Sequence, residues 1–439
     1  MSILQNKQEL FNPIKDYWSI LGCKDITLYE ETNRILSENK LINSYNKYID
    51  NACYHSINYY DNMNLLMCIN LSKKQSYNYY LKNLNCTHIL YGIKTIKLDK
   101  NLIPKILYQI QYQHITNYYD LMKEIISDYP FYEKYKNDEI EINVLILVNK
   151  KDINVILDKN NDNIIIFSNT KHKKKIMSSI FYNDNSLKFL EMQNIENMLS
   201  TDYQKNLKTF HEIKNKFMEY DYFTQENIMI NSSTILMLLG FRKNNDIDIY
   251  IDKVKNSEKI IETCSKFENI DLSVKNTHLW PNYWDTWLDE WAQKAGAKYF
   301  EEIIGFNDYH FYYCGMKLMN IHVDIQRRIV RSRPASLTDL YMLNKTYNMN
   351  IMLPKIPDTF YEYKSVENLS EKEKDKILEQ GGIYNSENRE YKIERKTNIN
   401  SYLKKIQEYL NDRYNKELSI DDIKSIFIVK KKIKIKTKK

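Results

Sequence analysis

Glycine and proline are scarce in this sequence, at 8 and 7 residues among 439. Ile, Asn, Lys and Tyr fill the space they leave, with Tyr alone at 37. All four have AT-rich codons. The bias therefore reflects genome composition before function, and a large DNA virus or an AT-rich bacterium is the expected source. Cysteine is sparse as well. Cys23, Cys53, Cys68, Cys86, Cys264 and Cys314 form no CxxC pair, and no histidine stands at zinc-ligand spacing from them. That pattern argues against a structural zinc and suits a reducing compartment. No apolar run reaches the length of a membrane span. Residues 1–21 carry polar and charged side chains throughout, unlike a signal peptide. The expectation is a soluble cytoplasmic protein, in the host cytoplasm if the source is viral, with no membrane partner.

The hydrophobic share of 43% is enough to build cores, and the length calls for two or three domains. The net charge is +7. Much of it sits at the very end, in Lys430, Lys431, Lys432, Lys434, Lys436, Lys438 and Lys439. A block of like charge at a terminus is most often a solvated tail. Nucleic-acid contact through it is the less favoured reading.

Periodicity divides the chain into five stretches. Residues 1–85 read as mainly helical, with Leu65, Leu66 and Ile69 at loosely helical spacing. Residues 86–200 read as a small α/β domain of no assigned role, with strands at 88–98, 141–148, 153–157 and 164–167 and helices at 102–127 and 171–181. Residues 201–350 hold the chemistry. Residues 351–398 are polar and weakly periodic and read as a linker or exposed connection. Residues 399–439 form a short helical module with the basic tail, in which Ser419 is an N-cap candidate.

The informative stretch is 228–252, IMINSSTILMLLGFRKNNDIDIYID. Ile228, Met229 and Ile230 make a short apolar strand. Asn231, Ser232 and Ser233 are turn and capping residues. An apolar helix of one or two turns follows, then a turn with Arg242 and Lys243. Asp246 to Ile251 alternates strictly, so Asp246 and Asp248 share one strand face while Ile247, Ile249 and Ile251 share the other. Two carboxylates two residues apart on one face repel unless a cation lies between them. Mg²⁺ prefers a few carboxylates completed by water and phosphate oxygens.

This layout resembles the nucleotidyltransferase superfamily, in which a strand, a small-residue turn, a short helix and a strand bearing Asp-apolar-Asp follow one another. A second stretch fits the same order. Residues 309–320 read as a hairpin turning near Cys314 and Gly315, followed by a basic helix, an Arg-containing turn and a further helix. The resemblance covers about 120 residues. It implies an α+β fold with a nucleotidyltransferase-like mixed sheet and flanking helices, beside a separate N-terminal α/β region and a small helical C-terminal module. It implies Asp246 and Asp248 as ligands of Mg²⁺ or Mn²⁺ and a nucleoside triphosphate as substrate. Ser232 and Ser233 then fall in the phosphate turn, and Arg242 or Lys243 neutralises charge. The family commonly has glycine in that turn, where this chain has Asn231, Ser232 and Ser233. The acceptor is unidentified; a small molecule or sugar phosphate is favoured over an RNA end or a protein. The alternative is a nucleotidyltransferase-like binding or scaffold protein without activity.

A third carboxylate is open between two residues. Asp324 serves if 317–324 is extended, which is slightly favoured. Asp308 serves if the chain is helical from Val323 onward. Among the remaining signals, Lys171 to Lys175 is expected to be a solvated helix face. Trp280, Tyr283, Trp284, Trp287 and Trp291 are expected to pack, and His310 and His322 to be packing or surface histidines.

Overall fold

The computed structural model describes residues 42–70, 88–135, 138–149, 163–231, 233–243, 247–251, 260, 262–264, 266, 270–274, 292–297, 300–365, 369–385 and 390–427. The 153–157 strand, the tryptophan-rich run and the basic tail lie outside them. The chain is α+β and divides into two compact units. Among the described residues no helix is long and apolar enough to cross a membrane.

The first unit begins with α1 (Ile42–Tyr59) and a four-stranded antiparallel sheet. Its strands β1 (Met63–Asn70), β2 (His88–Asp99), β3 (Glu139–Asn149) and β4 (Asn163–Phe167) lie in the order β2-β3-β1-β4. β1 corrects the helical reading of Leu65, Leu66 and Ile69, whereas α1 is helical as expected. Leu65, Leu66, Met67, Cys68 and Ile69 are all fully buried. A strand covered on both faces loses the alternation that would mark it, and a short continuous apolar run then reads equally well as helix. The single helix expected at 102–127 is two, α2 (Ile103–Ile110) and α3 (Tyr118–Asp128). Asn117 separates them by accepting a hydrogen bond from the Asp120 N–H at 2.8 Å, which starts a new helix.

α4 (Lys171–Phe181) is capped by Thr170 and packs on α1 and β1. It corrects the picture of a solvated basic face, because Lys174 and Lys175 are buried. α5 (Asp184–Met192), α6 (Gln204–Phe217) and α7 (Tyr222–Glu226) lead into a second sheet. This sheet is made of β5 (Ile228–Asn231), β6 (Ile247–Ile251), β7 (Ile270–Val274), β8 (His310–Tyr313) and β9 (Met316–Met319), in the order β7-β6-β5-β9-β8. β5 and β9 run parallel, and β8 and β9 form the expected hairpin. Cys314 and Gly315 both have positive φ, 51° and 78°, the backbone that a two-residue hairpin turn needs.

α8 (Ser233–Leu238) follows β5. The second unit holds α9 (Ile321–Arg331), α10 (Pro334–Tyr347), α11 (Glu371–Glu379), α12 (Ile399–Tyr414) and α13 (Ile420–Phe427). α13 is capped by Ser419 as expected, its Oγ accepting from the Asp422 N–H at 3.1 Å. Residues 351–398 are not a plain linker. β10 (Thr359–Ser365), β11 (Ile383–Asn385) and β12 (Glu390–Lys396) form an antiparallel sheet in the order β10-β12-β11. Ile377 on α11 packs with Tyr391 and Ile393 in a small core. So few apolar side chains are needed for this one-sided layer that the sequence reads as polar throughout.

Candidate functional site

β5 is buried over its whole length and ends at Asn231. α8 (Ser233–Leu238), also wholly buried, follows. The chain then reverses at Gly240, whose φ is +70°. A Cβ there would stand 2.1 Å from the Asn194 carbonyl oxygen, so only glycine permits this turn. β6 returns beside β5, its residues buried apart from the half-buried Asp248. The sequence order of strand, turn, helix, turn and strand is thus realised.

Of the expected site residues, Ser232 and Asp246 lie outside the described residues. Ser233 is buried at the start of α8. Arg242 is buried and donates from Nη1 to the Lys243 carbonyl oxygen at 2.6 Å. Lys243 is exposed and pairs with Asp202 at 3.1 Å. Asn231, which the sequence offered only as a turn residue, is fully buried, and neither Oδ1 nor Nδ2 has a hydrogen-bond partner. Such a group costs roughly 1–3 kcal/mol. Among the described residues no cluster of three or more His, Cys, Asp or Glu forms a ligand set.

Asp324 requires a correction. It lies on α9, not on an extended segment, because Asn320 caps a helix that starts at Ile321. It is fully buried, and both carboxylate oxygens are engaged. Arg327 donates to Oδ1 from Nε at 3.0 Å and from Nη2 at 2.7 Å, and Arg328 donates to Oδ2 from Nε at 2.7 Å. Arg328 also bridges to Asp339, whose Oδ1 accepts from the Tyr414 hydroxyl at 2.5 Å. Burial raises the Asp324 carboxyl, but Arg328 and Arg327 together hold it below the usual range. The other candidate, Asp308, is exposed in the turn before β8. Of the two histidines, His310 is buried and His322 exposed.

A charged cluster in the first unit escaped the sequence reading. Glu226, buried at the end of α7, accepts from the Tyr54 hydroxyl on Oε1 at 2.8 Å and from the Tyr312 hydroxyl on Oε2 at 2.7 Å. Lys175 and Lys317 pair with the same two oxygens, each at 3.1 Å. Lys317 also donates to the Glu226 carbonyl oxygen at 2.6 Å, and Lys175 to Gln225 Oε1 at 2.6 Å. Burial pushes the Glu226 carboxyl up, but Lys317, Lys175 and His55 outweigh it and hold it well below the carboxylate range. Burial pushes the Lys175 ammonium down. One signal pointed here: Lys317 is the lone charge in the four-residue buried strand β9, and a buried charge requires a partner.

Three histidines of this unit are held neutral. Burial lowers His55 to about 4, against a smaller upward pull from Glu226. Burial and Lys214 lower His172 to about 4 and His211 to about 3. The unfolded chain takes up these protons near 6.5, the ordinary imidazole value, and the folded chain does so only near 3 to 4. Their contribution is complete above pH 6.5 and is lost as pH falls toward 4. Going from pH 7 to pH 5 is expected to cost roughly 1–2 kcal/mol for His55 alone. Urea unfolding at the two pH values measures this, and an unchanged midpoint would show that these rings are solvated in the folded chain.

No family model, no curated protein and no solved structure matches this chain.

Proposed function

We propose that the β5–α8–β6 segment is the nucleotide site of a Mg²⁺- or Mn²⁺-dependent nucleotidyltransferase that moves a nucleotidyl group from a nucleoside triphosphate to a small acceptor. The observation that carries this reading is the half-buried Asp248 on an otherwise buried strand β6, reached through α8 from β5, whose last residue Asn231 is buried with no partner for its side-chain amide. Asp246 and Asp248 are a hard-oxygen pair suited to Mg²⁺. The metal would polarise the α-phosphate and orient the attacking hydroxyl. Asn231, Ser232 and Ser233 would meet the phosphate chain, with Arg242 or Lys243 offsetting its charge. The burial of Lys174 and Lys175 removes two of the five residues of the internal basic run from any RNA track. That favours a small molecule or sugar phosphate as acceptor over an RNA end.

A second reading is favoured by the two guanidiniums on Asp324, which take both oxygens of the acid slightly favoured as the third carboxylate. On that reading the domain is a nucleotidyltransferase-like binding or scaffold module without turnover. Calorimetry with each nucleoside triphosphate in Mg²⁺ or Mn²⁺ tests both. The native chain is expected to bind, and Asp246→Asn with Asp248→Asn to abolish binding while leaving the melting temperature unchanged. Binding without release of pyrophosphate would favour the scaffold reading. A native chain that binds no triphosphate, or a double variant that binds as well as the native chain, would sink the site assignment.

A further inference from the structure

The end of α8 is closed twice over. Its own chemistry comes first. The Gly240 N–H donates to the Met237 carbonyl oxygen at 2.8 Å and the Phe241 N–H to that of Leu236 at 3.0 Å, the paired bonds that stop a helix at a glycine. The next carbonyls, those of Leu238, Leu239 and Gly240, belong to the helix end that has no partner within the helix. The connection between α5 and α6 takes each of them. Gln193 Nε2 donates to the Leu238 oxygen at 2.7 Å, the Asn194 N–H to that of Leu239 at 2.7 Å, and Asn197 Nδ2 to that of Gly240 at 3.4 Å. Asp202, at the far end of the same connection, pairs with Lys243. Both segments lie in the first unit.

The second closure fixes what the first leaves open. A glycine ends a helix, but the direction in which the chain then leaves depends on what holds the last carbonyls. Here the departing chain carries Arg242 and Lys243 and becomes β6, with Asp248. Gln193 also reaches the hairpin, its amide donating to the Tyr313 hydroxyl at 3.0 Å. One buried side chain thus ties the end of α8 to β8 and to the α5–α6 connection. The tie is a poor source of stability, because Gln193 Oε1 is buried without a partner and offsets part of what the two donated bonds contribute. An apolar side chain of similar size avoids that cost but gives no direction to the exit. Direction matters most for Mg²⁺, which demands near-ideal octahedral ligands, whereas Ca²⁺ accepts a flexible set.

We propose that Gln193 is a positioning residue of the triphosphate site: through the Leu238 carbonyl it sets the exit of α8, and so the placement of Asp246 and Asp248 for Mg²⁺. The proposal rests on the nucleotidyltransferase reading above. Calorimetry on the full chain tests it, with ATP, GTP, CTP and UTP each in Mg²⁺ and in Ca²⁺. Gln193→Met is expected to weaken binding about tenfold in Mg²⁺ and less than about twofold in Ca²⁺, at unchanged stoichiometry. Asn197→Ala removes an exposed side chain and carries little risk to folding. It is expected to shift the ratio of the two metals in the same direction, by about twofold. The ratio is the decisive readout, since general loosening of the unit weakens both metal complexes alike or lowers the number of sites. The proposal alone is overturned if the native chain binds, Asp246→Asn with Asp248→Asn abolishes that binding, and the ratio stays native in both the Gln193 and Asn197 variants or the two metals weaken in parallel. A native chain that binds no triphosphate, or that still binds without the two aspartates, overturns the site reading and this proposal with it.

Discussion

Replacing Glu226 by glutamine is expected to destabilise the first unit by about 3–5 kcal/mol, the usual cost of removing one partner from a buried ion pair. The chain's whole stability is of order 5–15 kcal/mol, so the variant should be near the edge of folding at ambient temperature. The tyrosine hydroxyls can still bond to a glutamine oxygen. What the variant loses is the negative charge shared by the buried lysines Lys175 and Lys317. The desolvation of two ammonium groups is then no longer offset by the Glu226 charge. Removing the cluster as a whole should be milder: Lys175→Met, Glu226→Leu and Lys317→Met together are expected to recover much of the loss, because well-packed apolar groups often replace a buried charge network without penalty. The pH sign agrees. Glu226 has a depressed folded pKa, so its contribution is present above the unfolded value near 4.5 and is lost as pH falls below it. That window opens near 4.5, where most of the histidine loss from 6.5 downward is already complete, so the range from pH 6.5 to 5 in a series of urea midpoints reads the histidines alone. A loss under about 1 kcal/mol in Glu226→Gln would mean the lysines are solvated rather than compensated.

Asp324→Asn is expected to cost a similar amount, about 3–5 kcal/mol, in the second unit. It removes the carboxylate that the buried Arg327 and Arg328 share, while Arg328 keeps its contact with Asp339. The carboxylate ties two guanidiniums of α9 together, and Arg328 carries the tie on to Asp339 of α10 and from there to Tyr414 of α12. Loss of the acid should therefore loosen the packing of three helices at once. Asp308→Asn, in an exposed turn, should stay within about 0.5 kcal/mol of the native chain. A double-mutant cycle of Asp324→Asn with Arg327→Gln measures the coupling, and a value indistinguishable from zero contradicts a structural role. If Asp324→Asn instead left the unfolding midpoint alone and cut only turnover, a catalytic role for the acid would have to be reconsidered.

The segments legible in the sequence share one property: their local pattern and their environment agree. β6 alternates in sequence and its Ile247, Ile249 and Ile251 are buried beside the half-buried Asp248, the Cys314–Gly315 hairpin is marked by its turn, and Ser419 caps its helix by local chemistry. The illegible ones depend on what packs against them from far along the chain. β1 hides its alternation because both faces are covered. The sheet of β10, β11 and β12 needs so small a core that its strands look like solvated chain.

The same division holds for the site. The order of strand, turn, helix, turn and strand around Asp246 and Asp248 was determined by sequence alone, since side-chain size, turn chemistry and alternation act over a few residues. Tertiary structure alone decided which charges are buried. Lys175 belongs by sequence to a basic run of five, yet it pairs with Glu226, fifty-one positions away, and Lys317 completes the cluster from β9. Asp324 likewise became a helix tie because Asn320 started a helix that put Arg327 and Arg328 one turn beyond it. The physical reason is one of range. Hydrogen-bonded turns and strand faces are set by neighbours in sequence, whereas the desolvation that makes an ion pair matter depends on every element that closes over it.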